Sequence, residues 1–191
     1  MSFGLLTDVE MEKIEELAEW FLREEKGTRL DDALLERIIS SDESLISLKK
    51  IAVKPFSGSL DEHLTREGVG YVLSVSDTIP HLRRRLLVAK GVARLILSKY
   101  QLELGKEKEE DYIFGTDWTH RQNDEINFMA LCLMMPKSAF QKVVEEKALN
   151  HLNGRVNIEQ LAQEFNVSEQ NATQRGLSLG MFTASRQVSS K

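Results

Sequence analysis

A chain of 191 residues, 41% hydrophobic and 29% charged with only three prolines, is long enough to bury a core without staples, which excludes the disordered and low-complexity classes. Its single cysteine, Cys132 in "FMALCLMMP", excludes an internal disulfide and is expected to be a buried, inert thiol in a reducing, cytoplasmic setting. The formal charge of −5 is uneven: residues 1–45 hold five Lys/Arg against thirteen Asp/Glu, while 46–150 and 151–191 are close to neutral, which leaves little electrostatic footprint for nucleic acid and suits a basic protein partner better.

No apolar run approaches the ~20 residues of a membrane span, and "MSFGLLTDVEMEK" is acidic where an export signal is basic, so neither is expected. In "DVEMEKIEELAEWFLREE" (8–25), Met11, Ile14, Leu17, Ala18, Phe21 and Leu22 recur at i, i+3, i+4, which predicts an amphipathic helix, and "TRLDDALLERIIS" repeats the pattern after Lys26-Gly27. From 44 to 77 the rhythm changes to alternation and β-branched residues, with "EGVG" (67–70) as a hairpin turn, and predicts two or three short antiparallel strands. A helix from about Pro80 to Tyr100 follows.

The charged stretch 101–122 reads as a surface loop, and "NDEINFMALCLMMP" as a helix that stops at Met135 because Pro136 disfavours helical geometry before it. "KSAFQKVVEEKALN" (137–150) reads as another helix, broken at Asn153-Gly154. The tail reads as helix, short turn and helix with Ser168 as cap, the outline of a helix-turn-helix.

"RRRLLVAKGVARLIL" holds the chemical question. In an H-E-x-x-H helix, two imidazoles one turn apart reach one zinc ion and the glutamate activates its water. Lys90 and Arg94 stand where those imidazoles would be, with donors and no lone pair for a metal, and Gly91 has no side chain to act as base.

The flanks nevertheless resemble the ImmA/IrrE family of zinc metallopeptidase-like proteins at three separated places, together covering about 46–182. Arg83, Arg85, Ala89 and Leu97 match the family's R-x-R-F-T-L-A-H-E-x-G-H-x-L-L, with Ile96 a close substitute. Glu125, Asn127, Ala130, Leu133, Met135 and Pro136 match E-A-N-x-F-A-x-x-L-L-M-P, whose leading glutamate is the third zinc ligand. In the tail, Leu161, Ala162, Phe165, Val167, Ser168, Arg175, Leu179 and Gly180 keep step with the family's helical end.

The resemblance implies an α+β fold, zincin-like helices around a small antiparallel sheet, divided as an N-terminal helical arm (1–45), a peptidase-like domain (46–150) and a helix-turn-helix-like segment with its tail (151–191). It further implies a degenerate metal site at Lys90, Gly91, Arg94 and Glu125, with zinc not expected. Glu125, the one ligand retained, would need a cation in place of the metal, and Lys90 or Arg94 is expected to supply it.

Family members commonly sit beside helix-turn-helix repressors in phages and mobile elements and relieve repression by cleaving them. A member without metal is expected to act on such a repressor by contact, as an antirepressor or toxin-antitoxin component. Two alternatives stand beside this reading. One is an active peptidase rebuilt on His120, Asp124 and Glu125; the other is a DNA-binding regulator using Gln170, Asn171, Gln174 and Arg175, weakened because that helix offers a single cation. The run Arg83, Arg84 and Arg85, unusual at a helix start because it opposes the helix dipole, is a possible contact for phosphate or an acidic partner.

Overall fold

The computed structural model describes residues 3–55, 62–100, 119–150 and 155–181. Seven α-helices among them surround a three-stranded sheet, the α+β class expected. Most of the expected loop at 101–122 and the Asn153-Gly154 break lie outside the described residues.

Helix α1 (Asp8–Glu24) opens on a capping box: Thr7 Oγ1 accepts from Glu10 N at 3.3 Å, and Glu10 Oε2 accepts from Thr7 N at 2.8 Å. It buries Ile14, Ala18, Phe21 and Leu22, the stripe anticipated, and full burial of a side chain such as Phe21 contributes about 1.5–3 kcal/mol. Lys26, left-handed at φ 54°, ends the turn after it. Helix α2 (Asp32–Ser40) is capped by Asp31, and the linker before it is fastened by Leu30 N donating to Leu133 O at 2.8 Å.

Strands β1 (Leu48–Lys54), β2 (Glu62–Glu67) and β3 (Gly70–Ser76) form a sheet in the order β1-β3-β2. β2 and β3 make the expected antiparallel hairpin, with Gly68 at φ 61° supplying the conformation its two-residue loop requires. The sheet is not purely antiparallel: β3 inserts between the other two and runs parallel to β1, Ile51 opposite Leu73. The reason lies in burial. "GYVLSVS" is buried at almost every position, and a strand covered on both faces belongs at the centre.

Helix α3 (His81–Tyr100) packs on β3 and against α4 (His120–Met134), while α1 covers another face of α4. α4 begins earlier than expected. "THRQ" is a capping box in which Thr119 Oγ1 accepts from Gln122 N at 3.2 Å and Gln122 Oε1 from Thr119 N at 2.8 Å, a polar start that hydrophobic periodicity does not register. Its end at Met135-Pro136 is as expected.

Helix α5 (Lys137–Val143) is shorter than expected. It widens into a π-turn (Val144–Ala148), and Ala148 O accepts from Asn157 N at 2.9 Å, which directs the chain into the two-residue ribbon of β4 (Leu149–Asn150) and β5 (Arg155–Val156). Helices α6 (Ile158–Phe165) and α7 (Glu169–Ser178) make the expected helix-turn-helix outline, with Asn166 left-handed and Ser168 Oγ accepting from Asn171 N. Among the described residues no helix is long and apolar enough to cross a membrane.

Candidate functional site

The face of α3 that carries Gly91 and Arg94 is set against the β2–β3 hairpin. Leu64 pairs with Leu73 and Glu62 with Val75, so alternation puts Glu62, Leu64, Leu73 and Val75 on one face of the sheet. Gly91 lies close against it: a Cβ there would lie 2.6 Å from Leu73 Cδ2 and 2.8 Å from Cδ1. Glycine costs a helix interior about 1 kcal/mol relative to alanine, and here it permits the close helix–sheet contact. Leu73 is fully buried, so a glutamate at 91 has no room unless the sheet yields.

Arg94, 3% exposed, points its Nη2 at Glu62 Oε2, 3.3 Å away. Burial pushes its guanidinium below the ordinary arginine value, and the Glu62 carboxylate offsets only part of that. Lys90, half-buried one turn earlier, is lowered too, first by burial, with Glu62 opposing and Arg94 and Arg83 adding repulsion.

The expected pairing of Lys90 or Arg94 with Glu125 is corrected by this geometry. Arg94 takes its carboxylate from edge strand β2, and Glu125, itself buried, takes its cation from Arg121 one turn before it, Nε to Oε1 at 3.3 Å. Arg121 also reaches Glu10 of α1, so the retained glutamate is linked through that arginine to the N-terminal helix. The cause is the early start of α4, which puts a cation at i−4 of Glu125.

Ammonium and guanidinium groups have no lone pair for a metal, Arg94 is engaged in a buried pair, and position 91 has no space for a base; this donor set does not fit zinc. The rebuilt set is not assembled either. His120 is exposed, Asp124 accepts from Leu5 N at 3.4 Å, and no three His, Cys, Asp or Glu side chains among the described residues form a metal-holding group.

The arginine run divides by role. Arg83 is exposed, Arg84 Nη2 donates to the carbonyls of Asp77 (3.0 Å) and Ile79 (3.3 Å), and Arg85 Nη1 pairs with Asp32 at 2.9 Å. In the C-terminal pair, Arg175 is fully buried: its Nε donates to Met135 O at 2.8 Å, it pairs with Glu15, and it lies over the Phe128 ring with Cys132 Sγ 3.5 Å from Nη1. Asn171 is buried as well, so two of the four side chains considered for DNA contact face the scaffold.

Sequence reading missed Glu62 and Arg121. Glu62 carried a signal, because in "EHLTRE" it alternates in phase with Leu64, and a carboxylate on the buried side of a strand demands a cation. Arg121 was hidden by placing it in a loop.

The IrrE N-terminal-like domain of the M78 peptidases matches residues 46–176, more than half of the chain, and the chain belongs to that family. Among solved structures it is similar to a Mycobacterium tuberculosis transcriptional regulator, with a TM-score of 0.58 at 14% identity over 93% of this chain and 49% of that one. The likeness is one of fold, and this chain spans about half the length of that protein. No curated protein matches it.

Proposed function

We propose that this member of the IrrE-like family is a pseudo-peptidase that binds no zinc and regulates by protein contact, its partner a helix-turn-helix repressor. The observation that carries the reading is the Arg94–Glu62 ion pair, which occupies the face of α3 where a metal ligand would stand. Contact has a candidate surface in a groove of about 420 Å³ between α1 and the end of α7, lined by Glu12, Glu16 and Glu19 with Phe128 and Leu179 among them. Its charge suits a basic partner, and its apolar members suit an anchoring side chain. Arg175 is spent inside the fold, which leaves DNA contact by α7 with little support.

The test is to purify the chain from its native host without chelators, identify what accompanies it by mass spectrometry, and measure its zinc. An intact repressor, no stoichiometric zinc and weaker retention by Glu12→Lys/Glu16→Lys/Glu19→Lys are expected. One zinc per chain together with a cleaved repressor would establish the active-peptidase alternative and end this reading.

A further inference from the structure

A second cavity, of about 260 Å³, lies at the opposite edge of the sheet from Glu62, where α2, β1, α3 and α4 meet. Leu35, Ile51, Val88 and Met134 give it an apolar body, and His81, Arg84, Arg85 and Asp32 give it a polar end. The polar end has an excess of donors. Arg84 and Arg85 are each anchored through one terminal nitrogen, while the Nε of both is buried with no hydrogen-bond partner among the described residues. A desolvated donor on a charged group without an acceptor is a costly arrangement that a native fold resolves elsewhere.

The surroundings add to the imbalance. The first turn of α3 contains no acidic residue, so the positive end of its dipole adds to the arginines, and among the described residues Asp32 is the one carboxylate lining the cavity. That carboxylate is mostly exposed, its side chain 78% accessible, and it meets Nη1 of Arg85.

We infer that this cavity is a binding site for a small amphipathic anion, a carboxylate on an apolar body, with the carboxylate accepting from Arg84 and Arg85 and the body lying against Ile51, Val88 and Met134. A guanidinium matches a carboxylate in two-point geometry, which an ammonium does not. The cavity lies just below the ~300–1,000 Å³ range of sites for drug-sized ligands, which limits the body to a short chain or a single ring. The inference is independent of the fate of the zinc site, because none of these residues belongs to it.

Octanoate serves as the probe, with octanol as the body without the charge and inorganic phosphate as the charge without the body, each titrated calorimetrically into the full chain. Octanoate is expected to bind with Kd of about 1 mM or tighter, and octanol and phosphate at least about tenfold more weakly. Arg85→Gln removes a donor and Ile51→Trp fills the cavity from a half-buried strand position; each is expected to weaken octanoate at least about tenfold in a chain whose circular dichroism is unchanged. Two variants guard against one failing to fold. Octanoate binding no tighter than octanol, phosphate binding as tightly as octanoate, or affinity unchanged in both folded variants overturns the assignment.

Discussion

Two buried arginines hold this molecule together in opposite ways. Arg175 has a backbone carbonyl, a carboxylate, a sulfur and an aromatic face as neighbours. Burial works against its charge, yet Cys132 and Glu15 outweigh it and hold the guanidinium above the ordinary arginine value. Arg94, as deeply placed, stays below that value because burial outweighs Glu62. The difference lies in the surroundings: Arg175 sits in a pocket furnished for a guanidinium, tying α1, α4 and α7, whereas Arg94 lies between α3 and the hairpin, where the Glu62 carboxylate does not offset its burial.

The contrast is open to breaking by mutation, and the largest effect belongs to Arg175. Arg175→Met strands Glu15 and should cost about 3–5 kcal/mol in urea unfolding. Arg175→Lys should recover little of it, because an ammonium cannot reach Met135 O and Glu15 in fork geometry. A loss below about 1 kcal/mol would place Arg175 with ordinary surface pairs.

Next in size is Arg94→Met, expected to cost about 3 kcal/mol by removing the buried guanidinium that faces Glu62 Oε2. The double change Arg94→Met/Glu62→Met should recover most of it, since apolar replacement of a whole buried pair is often neutral. The corresponding cycle between Arg94 and Glu125 should show far weaker coupling; strong coupling there would restore the pairing that the geometry corrects.

Gly91→Ala should come third. Alanine adds about 1 kcal/mol of helix propensity, but its Cβ meets Leu73, and overpacking costs about 1–3 kcal/mol, so a net loss is expected in thermal unfolding. A rise in Tm would mean that the helix can lift from the sheet without cost.

The smallest effect belongs to Lys90. Its folded pKa lies below the usual 10.5, so between the folded value and 10.5 the unfolded chain binds more protons and stability rises with pH. Lys90→Met should flatten that alkaline rise and leave the chain slightly more stable at neutral pH. Unchanged pH dependence in the variant would assign the rise to another group.

What sequence alone revealed was whatever follows from local chemistry. The stripe of α1, the "EGVG" turn, the stop at Met135-Pro136 and the Ser168 cap depend on neighbours within a turn or two, and all are in place. The centre position of β3, the partner of Arg94 and the burial of Arg175 depend on which segments meet in space. Arg175 shows the limit most clearly: in "NATQRGLS" it has the neighbours of an exposed helix, and only partners distant in the chain, Glu15 160 positions earlier and Met135 40 positions earlier among them, make it an interior residue. The family likeness grouped Lys90, Gly91, Arg94 and Glu125 but could not say that Gly91 and Arg94 meet the hairpin while Glu125 answers to Arg121.

Cys132 is wholly enclosed, within 3.5 Å of Glu15 and Arg175, and burial pushes its thiol well above the ordinary value. It is also the only thiol in the chain. A thiol-reactive dye therefore has one target, reached when helices packed over it, such as α1, part from α4, and its labelling rate becomes a clock for that opening. Run with and without a partner in the acidic groove, the same clock would time how firmly the partner clamps the two helices, with no engineered label in the molecule.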